Sequence, residues 1–426
     1  MPAYRFVHAA DIHLDSPLRS LALRNPQLAE LIGNATRQAF VRIIDLCLDE
    51  RVQALKLAGD LYDGEQTSMK TARFLAEQLR RLHVAGIKVF IIRGNHDALS
   101  KITKELVFPE TVHIFGGRAE AVEVVRERGD RPIIVHGLSF ARPQVADSLL
   151  EKYRPPIEGA INIGLMHTSL DGSANHDVYA PCSSSDLANS GFRYWALGHI
   201  HKRSAMEGSC AIVMPGIPQG RDVGESGPKS VTLVSVLDDG SVTMEERVVS
   251  VAQFERVAVD ATAMTTWPDL VAGLEIALGD AAEKTASEHL VARLLVSGAT
   301  PLAWTIRRDA DLLRTEAESR ASAIGNIWIE KFDTDCRRPA TKTEGQSADP
   351  LEELRKVVND DIIGSQAFLG EAEEIAKELL SQLPSECRRT LTPNDDGFAR
   401  FVEQLSNEGS EEVLARLAAA NVEGKR

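Results

Sequence analysis

Seven residues of this chain, Asp11, His13, Asp60, Asn95, His167, His199 and His201, are of the types that hold metal ions, and each follows an apolar run of strand length. The runs begin at Phe6, Ala54, Val89, Ile161 and Tyr194, and glycine punctuates three of them, at Gly59, Gly94 and Gly198. Each feature alone has an ordinary reading. An aspartate after a strand often caps a turn, Gly94-Asn95-His96-Asp97 can be a plain loop, and histidines either side of Ile200 can decorate a strand. Together they are harder to set aside. In an open α/β sheet, ligands bind beyond the carboxyl ends of parallel strands, so five such ends predict one shared pocket.

Carboxylate, carboxamide and imidazole donors without thiolate suit Mn²⁺, with Fe or Zn also compatible, and disfavour a structural zinc site. Seven donors suffice for two divalent ions: Asp11, His13 and His201 on one, Asn95, His167 and His199 on the other, Asp60 between them. Ions about 3.5 to 4 Å apart can activate water and stabilise the entering and leaving oxygens of an in-line displacement at phosphorus. His96, next to the ligand Asn95, is then free to protonate the leaving oxygen or hold the phosphate, and Asp97 is the candidate to orient it. Asp63 reads as a turn or supporting residue, His136 as a buried hydrogen-bonded histidine, and His176 with Asp177 as rim or surface residues.

These side chains need a scaffold. Helical spacing over 34–51 and 67–84 separates the first three strands, a β-α-β-α-β order that favours a parallel or mixed sheet with helices on both faces. Short strands at 112–115, 121–125 and 132–136 predict a second, more antiparallel sheet, and 211–214, 229–237 and 242–248 complete the two. The expected class is α/β (α+β): a two-sheet sandwich flanked by helices over 1–250, a small α/β capping domain over 251–336, and a linker with a helical tail over 337–426. Within the cap the pattern gives strands at 254–259, 290–296 and 326–331 and helices at 267–278 and 302–316. The polar stretch Cys336 to Pro350, with Arg337, Arg338 and Lys342 partly offset by Glu344 and Asp349, reads as the linker. A long helix over 351–383 and amphipathic pieces at 398–405 and 411–417 suit either docking onto a partner or packing on themselves. Gly224 to Ser230 lacks the spacing of a phosphate loop.

A net charge of −14 sits awkwardly with a nucleic-acid partner, which usually meets a basic surface. From Gln346 onward, 17 Asp/Glu face 9 Lys/Arg, so −8 of that charge belongs to the tail and −6 to everything before it. Two divalent cations would also outweigh the carboxylates holding them and leave the pocket positive. The five cysteines, Cys47, Cys182, Cys210, Cys336 and Cys387, are scattered and form no C-x-x-C pair, which argues against a disulfide framework. No run approaches the roughly 18 apolar residues of a membrane span, and no basic-then-apolar leader opens the chain, so the expectation is a cytoplasmic protein without a membrane partner.

The ordered set D-x-H (Asp11, His13), G-D-x-x-D (Gly59, Asp60, Asp63), G-N-H-D (94–97), H-T (His167, Thr168) and G-H-x-H (198–201) resembles the calcineurin-like metallophosphoesterase superfamily. More narrowly, His8-Ala9-Ala10-Asp11-Ile12-His13-Leu14-Asp15-Ser16-Pro17 with Leu57-Ala58-Gly59-Asp60-Leu61-Tyr62-Asp63 resembles bacterial DNA-repair exonucleases of the SbcD type, especially their YhaO-like relatives. The resemblance covers roughly residues 4–250; the cap is similar only in size and position, and the tail only in being helical. It implies the metallophosphoesterase two-sheet sandwich, the seven metal ligands above, His96 as catalytic histidine, and manganese-dependent cleavage of DNA as exonuclease and single-strand endonuclease. It further implies work with an SbcC-like ATPase bearing a coiled coil, and a homodimer. Two other readings stand beside it: a small-molecule phosphodiesterase or phosphatase of the same superfamily, and a non-enzymatic scaffold with a dead site.

Overall fold

The computed structural model describes residues 4–16, 26–63, 68–98, 108–124, 131–172, 178–339, 350–384, 387–388, 391–392 and 394–423. Pro17, His176, Asp177, Lys342, Glu344, Gln346 and Asp349, named above, lie outside them, as do positions 67 and 125. The chain divides into two compact units, one formed by 1–256, 281–293 and 326–330, the other by 257–280, 294–325 and 331–426.

Twelve strands of the first unit run in order as β1 (Tyr4–Ala9), β2 (Ala54–Ala58), β3 (Lys88–Ile92), β4 (Val112–Ile114), β5 (Glu120–Val124), β6 (Ile133–Gly137), β7 (Ile161–His167), β8 (Tyr194–Gly198), β9 (Ser204–Met206), β10 (Ala211–Met214), β11 (Ser230–Val236) and β12 (Val242–Val248). One six-stranded sheet has the order β12-β11-β1-β2-β3-β4, the other β5-β6-β7-β8-β10-β9. Because side chains alternate along a strand, β1 to β3 serve two cores at once. Val7, Ala9, Leu55, Leu57, Val89 and Ile91 share a core with Phe40 and Ile43 of α1 (Pro26–Asp49) and Leu75 and Leu79 of α2 (Met69–Val84). Tyr4, Phe6, Ala54, Phe90 and Ile92 face the other way, into a core shared with Val135, Ile163, Leu165 and Tyr194 of the second sheet. Removing a ring such as Phe6 or Phe90 from that inter-sheet layer would cost about 3–5 kcal/mol. Lys56 is the exception in the pattern: it is buried there with Nζ 3.8 Å from the Phe6 ring centre and 3.0 Å from the Tyr4 hydroxyl, and burial depresses its amine.

Expectations for the first unit are corrected at three points. The strand beginning at Val112 pairs in parallel with β3, Val89 opposite Val112, and so is the edge of the first sheet rather than part of the second. The second sheet is parallel through β6, β7, β8 and β10, with antiparallel pairing confined to its edges at β5 and β9. Its hydrophobic runs are buried end to end, which is what strands covered on both faces require. Helix α1 also reaches back from Asn34 to Pro26, where the described residues begin: Leu28 and Ile32 continue its apolar stripe onto Phe254 and Val291.

Strands Ala252–Asp260, His289–Ala299 and Ile327–Arg337 form a three-stranded sheet in chain order. The last strand runs past Cys336 to Arg337, into the stretch expected as linker, and positions 340–349 of that stretch lie outside the described residues. In the second unit, Leu270, Leu274 and Leu278 of helix Trp267–Glu283 are buried, and the helix expected over 302–316 is two, Ala303–Arg308 and Ala310–Ile324, parted at Asp309. The long tail helix is likewise broken. Helix Pro350–Val357 passes into a π turn at Val358–Ile362, and Ser365 then caps a new helix, Gln366–Ser381, by accepting from the Phe368 N–H. Conversely, the two short pieces expected near the end form one helix, Asp395–Glu423, with Leu414 and Ala415 packed on Trp304.

Candidate metal centre

All five ligand-bearing loops leave strands of the first unit at the same edge of the two sheets. Asp11 N donates to Gly59 O at 3.0 Å, His13 N to Asp60 O at 3.0 Å, and Thr168 N to Gly198 O at 3.1 Å, so the loops after β1, β2, β7 and β8 are laced directly to one another. The crowding explains the glycines. A Cβ at Gly94 would overlap Asp60 Oδ1 and the His167 ring, and one at Gly59 would overlap His167 Nδ1. Asp11, His13, Asp60 and His199 all adopt positive φ, at 53°, 45°, 52° and 106°, a region non-glycine residues occupy at a cost and hold mainly at functional sites.

Besides His13, Asp63 and His96, whose ligand atoms lie within 4.8 Å of one another, two groupings share Asp11: Asp11, His13 and His201, and Asp11, Asp60 and His167, each within the same distance. The acid common to both is Asp11; Asp60 stands beside it, Oδ2 3.3 Å from His167 Nε2 and Oδ1 accepting from the His96 N–H at 3.0 Å. Asn95 Oδ1 is 2.9 Å from His167 Nε2. The His199 ring is 5.2 Å centre to centre from that of His167, and the His199 backbone N–H donates to both Asp11 oxygens at 3.0 Å. Every one of the seven residues is thus in or beside the cluster.

The hydrogen bonds behind the imidazoles fix what the cluster can bind. His13 Nδ1 is 2.6 Å from Asp63 Oδ1, and His201 Nδ1 is 2.7 Å from Glu225 Oε1. A carboxylate only accepts, so each Nδ1 donates, and in the neutral ring each Nε2 carries a lone pair. Those two Nε2 atoms face each other at 3.2 Å. Likewise His167 Nδ1 donates to Ala58 O at 2.9 Å, leaving Nε2 to face the oxygens of Asn95 and Asp60. In the neutral imidazoles these are buried acceptors turned on acceptors, an arrangement that a cation between them would satisfy. The residues therefore fit a pair of divalent ions.

Charge behaves accordingly. Burial opposes ionisation of Asp60, but the His167 ring beside it wins and holds the carboxyl well below its usual range. Burial likewise disfavours a charged His167, yet Asp60 and Asp11 push it up to about 9. Burial raises the Asp11 carboxyl against the pull of His167 and His201.

One role expected from the sequence falls differently. Asp97 does not reach His96: it is buried, with Oδ1 accepting from the Gly94 N–H at 2.6 Å and Oδ2 from the Leu61 N–H at 3.0 Å, and burial together with Asp60 pushes it up to about 7. The carboxylate beside His96 is Asp63, Oδ1 at 3.3 Å from Nδ1. The His96 side chain is 44% exposed, enough to meet a solute while its neighbours are closed off. His136 is buried and bonded to Asn162 at 2.9 Å, as its sequence context suggested.

Sequence reasoning passed over Glu225, Arg221 and His8. Glu225 and Arg221 lie in Gly220-Arg221-Asp222-Val223-Gly224-Glu225, where the only signal was an Arg-Glu pair four apart. His8 ties the sheets together inside the core, Nε2 bonded to Leu197 O at 3.0 Å and Nδ1 to the Tyr194 hydroxyl at 2.9 Å.

Residues 4–203 match the family profile of calcineurin-like phosphoesterases, and 254–337 that of the middle domain of metallophosphoesterase YhaO. The uncharacterized metallophosphoesterase YhaO of Bacillus subtilis is 31% identical over 79% of this chain and 83% of its own length. The DNA double-strand break repair protein Mre11 of Sulfurisphaera tokodaii is 26% identical over 51% of this chain, and the match spans only 54% of that relative. Among solved structures, a dimetal phosphatase from Danio rerio aligns over 58% of this chain and 97% of its own at 13% identity, with a TM-score of 0.37.

Proposed function

The chain belongs to the calcineurin-like metallophosphoesterases of the SbcD/Mre11 type, and from that premise we propose that it is a cytoplasmic nuclease that hydrolyses phosphodiester bonds of DNA in repair. The observation that carries the chemistry is the pair of imidazole nitrogens, His13 Nε2 and His201 Nε2, turned to each other at 3.2 Å beside Asp11. Asp11, His13 and His201 would hold one ion, Asn95, His167 and His199 the other, with Asp60 between. Two divalent ions, Mn²⁺ by preference, would when bound activate water for in-line attack and neutralise the phosphoryl oxygens.

The protein supplies the rest. Asp63 and Glu225 keep the protons of His13 and His201 on Nδ1, and Ala58 O does so for His167. His96, the exposed imidazole at the rim, can hold the phosphate or pass a proton to the leaving oxygen, and burial lowers its own proton affinity. Asp97 stiffens the loop that presents it. DNA as substrate rests on the resemblance to repair nucleases, as do an SbcC-like ATPase with a coiled coil and a second copy of the chain as partners. The tail, carrying −8 of the net charge, is proposed as a partner-docking region, which leaves the nuclease domain close to neutral once two divalent ions are counted.

The test is cleavage of 3′-labelled linear duplex and single-stranded DNA with Mn²⁺ titrated in. Metal-dependent release of label, lost in His96→Ala, is expected. Intact DNA alongside rapid turnover of a nucleotide or aryl phosphodiester would overturn the DNA assignment in favour of a small-molecule phosphodiesterase.

A further inference from the structure

The two carboxylates that orient the histidines of one metal grouping are themselves joined by a single side chain. Arg221 places Nη2 2.7 Å from Glu225 Oε1, the oxygen that holds His201, and Nη1 3.5 Å from Asp63 Oδ2, whose other oxygen holds His13. Its backbone N–H donates to Glu225 Oε2 at 2.8 Å, and Nη1 is 3.4 Å from the Ser16 hydroxyl, which in turn donates to Asp63. The arginine is drawn into the wall, its side chain 22% exposed, and Glu225 and Asp63 show 13% and 20%. Charges this enclosed persist only when paired. The planar guanidinium can engage two carboxylates at a fixed separation, which an ammonium cannot.

From this arrangement, and resting on the reading that Asp11, His13 and His201 hold an ion, we infer that Arg221 is a positioning residue for that ion alone. It acts through Glu225 and Asp63, locking both imidazoles in the tautomer that points Nε2 at the metal. His167 of the other grouping is oriented instead by the neutral carbonyl of Ala58. The two metal positions are therefore built unequally, and a change at Arg221 reaches one of them.

The experiment compares the full-length protein with Arg221→Gln, Arg221→Lys and Glu225→Gln. Mn²⁺ binding is followed by titration calorimetry, and the histidine tautomers by ¹⁵N NMR without added metal. One of two Mn²⁺ steps should weaken roughly tenfold in Arg221→Gln and Glu225→Gln, with the other step unmoved, and Arg221→Lys should fall between. In the same two variants the His201 signal should leave the pure Nδ1–H form. Two unchanged binding steps with unchanged tautomers would overturn the inference. So would unchanged metal binding with a raised KM for a phosphodiester, which would make Arg221 a substrate contact instead. Equal weakening of both steps with a large drop in melting temperature would reduce it to a fold-stabilising residue. The NMR arm needs neither metal nor substrate, so a fixed tautomer lost on substitution upholds the role of Arg221 even if the phosphoesterase reading fails.

Discussion

Asp63 Oδ1 stands 2.6 Å from His13 Nδ1 and 3.3 Å from His96 Nδ1, so one carboxylate oxygen steadies both a metal-binding imidazole and the imidazole at the rim of the site. The neighbouring acid in sequence, Asp97, points the other way into backbone N–H groups. The pair can be told apart. Asp63→Asn is expected to lower kcat roughly 10- to 100-fold and to shift the pH profile, because His96 and His13 lose the carboxylate charge and keep only the weaker carboxamide oxygen. Asp97→Asn is expected instead to lower the melting temperature, an orphaned buried N–H costing about 1–3 kcal/mol, measured by calorimetry beside steady-state rates.

His96 belongs to neither of the groupings that contain Asp11. Its replacement by alanine should therefore reduce kcat about 100- to 10,000-fold while leaving the number of bound Mn²⁺ ions unchanged. A loss of bound metal in His96→Ala would place that ring among the ligands.

Much of this was readable beforehand, and the reason is periodicity. Fully apolar runs such as Leu55 to Ala58 and Val89 to Ile92 announce buried parallel strands, and the residues just past them are where an α/β sheet puts its ligands. What periodicity does not carry is where a side chain turns once it leaves the strand. Asp63 and Asp97 are both acids in polar loops, and only positive φ at Asp60 and the lacing of His13 N to Asp60 O decide which one meets His96. Glu225 is even less visible, since it follows His201 by 24 residues and reaches it from a separate turn. The break at Ser365 and the unbroken helix through Gly409 were likewise settled by a cap and by packing on Trp304, neither of which shows in hydrophobic spacing.

Gly94 should tolerate no side chain. A methyl there meets Asp60 Oδ1 and His167 at once, so Gly94→Ala is expected to cost about 1–3 kcal/mol of stability and to weaken the Mn²⁺ step that depends on His167. Thermal melts and metal titration on the same preparation check both.

His8 gives the fold a pH dependence of definite sign. Burial is the main cause that lowers it from 6.5 to about 3. The unfolded chain therefore binds the extra proton between those values, so the contribution of His8 is complete above pH 6.5 and is lost as pH falls toward 3. The loss is on the order of 5 kcal/mol. Denaturant titrations of wild type and His8→Gln across that window should show a steeper acid loss in the wild type; parallel curves would contradict it.

The most direct measurement is anomalous diffraction at the manganese edge from crystals grown with Mn²⁺. Two peaks about 3.5 to 4 Å apart are expected, one against Asp11, His13 and His201, the other against Asn95, His167 and His199, with Asp60 reaching both. A single peak, or peaks that leave His13 Nε2 and His201 Nε2 unbridged, would contradict the two-metal site.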